Sequence, residues 1–349
     1  MTEDKQPLRV LIFGAGAIGI YLGCSLHHSG SAVAFVEKQP VVVELRKRGL
    51  HLSLPGQELA VRDPQIVESV EQALEIGTFD VSIFALKSFD TGPALQSLLP
   101  FKDRLPPILC LQNGVDNEGL LAAELGAENV IAGTVTSSIL RRSAGNVVLE
   151  RKRGIGVAAT HPIAAGLCEH MDRAGLNARL FDRPLDMKWS KLIINLLGNA
   201  SSAILDMPPT QVYADPGLFH LEVSQIEEAL AVMQAQKIRV VNLPATPVRL
   251  LSLIIRRFPL WLSKPLIQRS LGAGRGRKMP SLHMDLQSGR KYSEVEDLNG
   301  AVVRYGRKLG IPTPTNQLLY QTLLQLVNDE IPWSTFRKQP QALLARWNR

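Results

Sequence analysis

Arg9-Val10-Leu11-Ile12-Phe13 is a short apolar run of strand type, and Gly14-Ala15-Gly16-Ala17-Ile18-Gly19 follows it at once. Residues 20–28 then read as a helix closed by Ser29-Gly30, and Ala32-Val33-Ala34-Phe35-Val36 as a second strand ending at Glu37-Lys38. Strand, glycine turn, helix and strand in one short unit leave few folds open. The spacing is that of a dinucleotide-binding fingerprint. The first glycine permits the tight turn. The second lets the backbone approach a pyrophosphate, and the third lets the helix pack close to the strand. The helix N-terminus is then aimed at the phosphates. A glycine pattern alone is a weak signal, but here the flanking elements are the right ones.

The end of the second strand selects between the two nicotinamide dinucleotides. Glu37 suits a ribose 2′-hydroxyl and favours NAD. Lys38 suits a 2′-phosphate and favours NADP. The residues by themselves leave both open.

Alternation continues downstream. Residues 41–48 and 69–76 read as helices, 50–54 as a strand or the start of a hairpin, and 79–86, 107–111 and 129–133 as strands. This predicts a parallel, doubly wound sheet. Ligands of such sheets lie at the carboxyl ends of the strands. Lys87 and the turn Gln112-Asn113-Gly114 fall at such ends, as Gly14 and Lys38 do. Residues 134–158 read as antiparallel strands around Ala144-Gly145-Asn146, 162–174 as a helix, and 178–181 as a last strand. Beyond Arg183-Pro184 the pattern is helical over 186–205, 218–237, 247–257, 293–308 and 316–328. The expected organisation is therefore α/β: a Rossmann-type domain over 1–183 and an all-helical domain over 184–336. A basic, peripheral tail over 337–349 completes it.

The first helix of the second part carries Lys191-Leu192-Ile193-Ile194-Asn195-Leu196-Leu197-Gly198-Asn199. It is apolar nearly all round, which predicts burial. Lys191, Asn195 and Asn199 recur every four residues and share one stripe. Buried polar groups must be paired. They form either a structural seam between helices or one wall of a site.

Composition narrows the function. The 349 residues suffice for two domains, and the net charge is +7. The basic residues are scattered apart from short runs such as Arg151-Lys152-Arg153 and Arg275-Gly276-Arg277-Lys278. Neither aromatic platforms nor zinc-finger spacings accompany them, so no nucleic-acid partner is expected. The most apolar long stretch, 250–271, is broken by Arg256, Arg257, Pro259, Lys264, Pro265 and Arg269, so no membrane span is expected. Cys24, Cys110 and Cys168 are far apart, which suits a reducing cytoplasm. His51, His161, His220 and His283 form no ligand cluster, and no metal is expected. Met1-Thr2-Glu3-Asp4-Lys5 does not read as a signal peptide.

Taken together the chain resembles the ketopantoate reductase (2-dehydropantoate 2-reductase) family. The resemblance rests on ordered motifs: Gly14 to Gly19, Ala85-Leu86-Lys87, Gln112-Asn113-Gly114, and Trp189-Ser190-Lys191-Leu192 with Asn195 and Asn199. Pro280-Ser281 with Asp285-Leu286, Ser293-Glu294-Val295 running to Asn299-Gly300-Ala301-Val302-Val303, and Gly310-Ile311-Pro312-Thr313-Pro314-Thr315-Asn316 follow. It implies Lys191 as general acid and Glu294 at the junction of cofactor and substrate. It implies Asn113, Asn195, Asn199 and Ser281 as substrate ligands. The cofactor set it implies is Gly14, Ala15, Gly16, Ala17, Ile18, Gly19, Lys38, Lys87, Asn113 and Glu294. The family's NADP-selecting arginine falls at Lys38, so NADPH is the cofactor expected, although lysine lacks the planar fork and Glu37 beside it would repel a 2′-phosphate.

The implied reaction is NADPH-dependent reduction of 2-dehydropantoate to pantoate, toward pantothenate and coenzyme A. The apolar neighbours of Lys191 would depress its pKa and ease proton donation. Two alternatives stay open. One is a paralogue acting on another 2-keto acid, or an opine-type dehydrogenase. The other is a dinucleotide sensor without turnover. Departures from the family lie on the substrate side. Asp206-Met207-Pro208-Pro209 stands where an asparagine is usual, residues 243–279 are long and basic-apolar, and the link from Asp285 to Glu294 is longer. The partner implied is a small-molecule 2-keto acid, and the helical domain allows a homodimer.

Overall fold

The computed structural model describes residues 7–259, 264, 265, 267 and 278–347. Part of the basic-apolar segment, including Trp261 and the run at Arg275, lies outside the described residues. The chain forms two compact units. The first comprises residues up to Gln112, Asp116–Lys188 and Leu243–Thr246. The second comprises Asn113–Val115, Trp189–Asn242 and the described residues from Pro247 onward.

The first unit is built on an eight-stranded sheet. Its strands are β1 (Arg9–Phe13), β2 (Ala32–Val36), β5 (Gln65–Val67), β6 (Val81–Phe84), β7 (Ile108–Cys110), β8 (Val130–Val135), β11 (Ile155–Ala158) and β12 (Ala178–Phe181). The spatial order is β12-β11-β8-β7-β6-β1-β2-β5, and all neighbours run parallel except β8 and β11. Alternation along β1 shows why both faces are covered. Val10 and Ile12 join the core beneath the Ala17–His28 helix, while Leu11 and Phe13 join the core beneath helices Val70–Ile76, Thr91–Leu98 and Asn117–Leu125. This is the predicted doubly wound arrangement.

A second sheet was only partly legible. It orders β4 (Gln57–Val61), β3 (Leu50–Leu54), β10 (Asn146–Arg151) and β9 (Ser138–Ser143). Its β9–β10 hairpin is the predicted one around Gly145, but β10 also pairs in parallel with β3, far away in sequence. Leu50, Leu52, Val147 and Leu149 pack this sheet into the core that holds the Ala17–His28 helix.

Helices are the regular secondary structure of the second unit in its described residues. Its longest described helix, Pro216–Ala235, begins on Asp215, whose carboxylate accepts from the Leu218 N–H at 2.9 Å. Buried positions recur all around it, from Leu218 and Phe219 to Val232 and Met233, so it is a core helix. Helices Asn299–Leu309 and Pro314–Val327 pack against it through a buried amide cluster. The Asn299 amide donates to Gln225 Oε1 and Asn316 Oδ1, both at 3.0 Å, and Glu228 accepts the N–H groups of Thr315 and Asn316 at 2.7 and 2.9 Å. The closing motif around Pro314 and Asn316 is thus the start of a helix, capped by Glu228.

Three helical expectations change. The helix over 186–205 is two helices, Pro184–Leu196 and Ala200–Leu205, separated by a turn in which Gly198 has φ +54°. The helix over 293–308 begins only at Asn299, so Glu294 lies in the turn before it. The C-terminal segment from Trp333 on, the tail included, is not peripheral. Phe336 and Leu343 are buried, Trp333 Nε1 donates to the carbonyls of Ala203 and Ile204, and the Lys338 N–H donates to that of Leu205. These are the carbonyls that the end of a short helix leaves without an internal partner. The indole and a backbone amide of the tail fill that need.

Candidate active site

The glycine turn has the physical form its sequence demands. Gly14 sits at φ +95°, a conformation L side chains rarely adopt. A Cβ on Gly19 would stand 1.9 Å from the Gly14 carbonyl oxygen, so only glycine lets this helix lie so close to β1. A Cβ on Gly16 would meet nothing within 4 Å. Bare backbone at Gly16 therefore faces open space, beside the first turn of the Ala17–His28 helix, which is where a pyrophosphate would need it. The cradle fits a dinucleotide on its own geometry.

At the end of β2 the two competing residues take different postures. The Glu37 carboxylate turns back to the glycine turn and accepts from the Ala15 N–H at 2.7 Å. Its other oxygen accepts from the Lys38 N–H at 3.0 Å. The Lys38 side chain is 83% exposed and stands 3.7 Å from Asp90. At the end of β6, half-buried Lys87 begins a short 3-10 turn over Ser88–Asp90. Its carbonyl accepts from the Gln112 amide at 3.0 Å, and that amide also donates to Thr91 at 2.8 Å. The carboxyl ends of β6 and β7 are thereby tied to one another.

In the second unit the structure links residues far apart in sequence. The Asn195 amide donates to Asn113 Oδ1 at 3.0 Å, and the Asn113 amide donates to Glu294 Oε2 at 3.4 Å. Glu294 is buried, and Lys191, one turn before Asn195, is half-buried. Asn199 retains the four-residue spacing despite the broken helix. Its Nδ2 donates to the Asn195 carbonyl at 3.0 Å, and its Oδ1 accepts from the Leu282 N–H at 3.3 Å. Both backbone groups sit at helix ends, where the helix cannot satisfy them. Asn199 therefore ties the end of the Pro184–Leu196 helix to the start of the Ser281–Gln287 helix, next to Ser281.

Two family models match the chain. Residues 10–161 match "Ketopantoate reductase PanE/ApbA", and residues 185–327 match "Ketopantoate reductase PanE/ApbA C terminal". The chain belongs to the ketopantoate reductase family. It is 25% identical over 322 residues to the 2-dehydropantoate 2-reductase of Lactococcus lactis, covering 90% of this chain and 96% of that one. It is 27% identical over 334 residues to that of Mesorhizobium japonicum, covering 88% and 94%. Among solved structures, the ketopantoate reductase of Ralstonia eutropha superposes with a TM-score of 0.77 at 27% identity, covering 93% of this chain and 99% of that one. D-mandelate dehydrogenase, solved with NADH and anilino(oxo)acetate, shares the fold with a TM-score of 0.78 at 22% identity, covering 92% and 99%. Family membership makes this chain an NAD(P)H-dependent oxidoreductase acting on a CH–OH group.

Several residues of this ketopantoate reductase homologue matter to the site without having been read from the sequence. Glu222 is fully buried in the Pro216–Ala235 helix. It accepts from the Gly198 N–H at 2.6 Å, the Ser201 hydroxyl at 2.5 Å and the Tyr213 hydroxyl at 2.9 Å. Burial pushes its carboxyl above the usual range, against these hydrogen bonds and that of Gln225. Glu222 and the left-handed Gly198 explain the break between Asn195 and Asn199. Nothing in local sequence announces it, because Glu222 sits on another helix.

Lys188 is the fully buried cation of the Pro184–Leu196 helix. Its ammonium donates to the carbonyls of Gln112 at 2.7 Å and Gly133 at 3.3 Å and stands 2.6 Å from Glu118. Asp206, in the 206–209 stretch, is left-handed at φ +49° and is held by His283 at 2.7 Å and Arg337 at 2.8 Å. Burial would raise its carboxyl pKa, but the hydrogen bonds from Arg337 and His283 and the charge of Lys338 outweigh that and hold it below the usual range. The departure at Asp206 is thus matched by the tail that packs on it. Among the described residues no group of three or more His, Cys, Asp or Glu side chains could hold a metal ion, and no helix is long and apolar enough to cross a membrane.

Proposed function

We propose that this chain reduces a 2-keto acid to the 2-hydroxy acid, with 2-dehydropantoate the substrate its family puts first. The hydrogen-bonded series Asn195–Asn113–Glu294, with Lys191 one turn from Asn195, carries this reading. A reduced nicotinamide, when bound, supplies hydride to the carbonyl carbon. Negative charge then develops on the carbonyl oxygen, and a cation placed there acts most strongly in the transition state. Lys191 is assigned that place and gives the proton to the oxygen. Glu294 fixes the Asn113 amide and orients the ammonium. Asn113 and Asn195 lock one another's amide rotamers, so that both amides meet the substrate without reorganisation. Ser281 and the remaining N–H of Asn199 hold the carboxylate.

The family implies NADPH and the pantothenate route. A protein of this kind would work in the cytoplasm, and a dimer through the helical unit is compatible with it. A substrate other than 2-dehydropantoate is favoured by one observation: in the 206–209 stretch, where the family often carries an asparagine, the Asp206 carboxylate is already committed to His283 and Arg337. Steady-state oxidation of NADH and of NADPH with a panel of 2-keto acids that includes 2-dehydropantoate tests the proposal. Turnover with at least one member is expected. Tight dinucleotide binding with no turnover on any of them would overturn it in favour of a sensor.

A further inference from the structure

The end of β2 is built against the phosphate that distinguishes NADPH from NADH. In a dinucleotide-binding βαβ unit, the acidic residue about 20 positions after the glycine turn receives the 2′-hydroxyl of the adenine ribose. Glu37 stands at that position. Its carboxylate is hydrogen-bonded to the Ala15 N–H at 2.7 Å, inside the glycine turn itself. The contact fixes the carboxylate between the glycine turn and the end of β2. An ionised carboxylate offers about four acceptor sites. Two are used, by Ala15 and Lys38. The others remain for a hydroxyl.

A 2′-phosphate would bring a charge of about −1.5 to −2 to the same place. The groups that could offset it are poorly disposed. Lys38 is 83% exposed, and its ammonium is already 3.7 Å from Asp90, which adds a second carboxylate to this edge. Lysine also lacks the fork that grips a phosphate in two places. Arg46, the first arginine after β2, turns the other way and donates to the Ile66 carbonyl at 3.1 and 2.6 Å. Discrimination by an unfavourable charge is as effective as discrimination by a favourable contact.

We infer that Glu37 makes this chain an NADH enzyme, set apart from the NADPH its family membership implies. The inference rests on the proposed function only in needing a nicotinamide dinucleotide at the glycine turn, and its test is binding rather than turnover. Titration of the full chain with NADH and with NADPH, followed by nicotinamide fluorescence, is expected to show NADH binding at least about tenfold tighter, a difference of one decade in Kd. Glu37→Ala removes both the acceptor and the repelling charge, and is expected to weaken NADH and bring the two affinities together. Glu37→Gln keeps the shape and an oxygen for the Ala15 N–H, and is expected to narrow the gap in the same direction by strengthening NADPH. NADPH binding as tightly as NADH to the wild type would overturn the inference, as would a ratio that neither substitution moves. Failure of both dinucleotides to bind would overturn the nucleotide reading itself, a result distinct from a reversed preference.

Discussion

The glycine turn of the first unit and the Lys191–Asn199 stretch of the second both carry candidate site groups, but they are specified in different ways. The turn is specified locally. Gly14, Gly16 and Gly19 act through what they lack: Gly19 makes room for the Gly14 carbonyl within the same βαβ unit, Gly16 faces open space, and Gly14 makes room for Ala85 and Leu86 just past β6. The helical stretch is specified at a distance. Its break at Gly198 is held by Glu222, its Asn199 by Leu282, and its Asn195 by Asn113. A site made of backbone geometry can be read in a dozen residues, whereas a site made of positioned side chains depends on partners from several elements.

Substitutions at four positions sharpen that contrast. The largest effect is expected at Glu222. Glu222→Ala leaves the Gly198 N–H and the hydroxyls of Ser201 and Tyr213 without their acceptor, and at about 1–3 kcal/mol per buried unsatisfied group the loss should exceed about 3 kcal/mol. Glu222→Gln keeps one acceptor oxygen and should lose less. The sign of the pH dependence follows from the raised carboxyl pKa. The folded state holds the proton more tightly than the unfolded chain. The group's contribution is therefore fully present below the ordinary carboxylate range and is lost as pH rises through the raised folded value. Chemical denaturation across that window should show wild-type stability falling toward Glu222→Gln. A Glu222→Ala protein as stable as wild type would mean that the helix break does not depend on this carboxylate.

Next comes Lys191→Ala. A general acid is worth roughly 10²–10⁴ in rate, so kcat should fall at least about a hundredfold with folding intact. A near-wild-type kcat would reduce Lys191 to a structural residue and erase the chemical half of the comparison.

The smallest effects belong to the paired substitutions Gly19→Ala and Gly16→Ala. A Cβ at Gly19 collides with backbone, and overpacking of this kind costs about 1–3 kcal/mol. A Cβ at Gly16 meets open space, so stability should stay within about 0.5 kcal/mol, as for an unhindered surface substitution, while dinucleotide affinity falls. Thermal unfolding and nucleotide titration separate the two. An equal loss of stability at both positions would contradict the division between a packing glycine and a ligand-facing one.

The same division explains what could be read beforehand. Val10 and Ile12 against Leu11 and Phe13 display a period of two, and the fingerprint follows directly, so the doubly wound sheet was legible. The ordered motifs around Lys191, Asn195, Asn113 and Glu294 were legible as a set. Their hydrogen bonds were not. The continuous helix expected over 186–205 failed because periodicity registers apolar spacing and is blind to a carboxylate on another helix. Lys188 went unnoticed because a lysine one turn from Lys191 looks like an exposed charge until Glu118 and two carbonyls enclose it. The C-terminal segment read as peripheral because its arginines and lysine dominate its composition, while Trp333, Phe336 and Leu343 do the packing.

By itself the sequence determined the family, the α/β order of the first unit and the residue types available for reduction, because those depend on local spacing and on chemical identity. Only the tertiary structure decided the posture of Glu37 at the glycine turn, the break that separates Asn195 from Asn199, and the commitment of Asp206 to the C-terminal segment. Each of these is a hydrogen bond or ion pair to a group distant in the chain or on another element. Such partners exist only after the chain has folded.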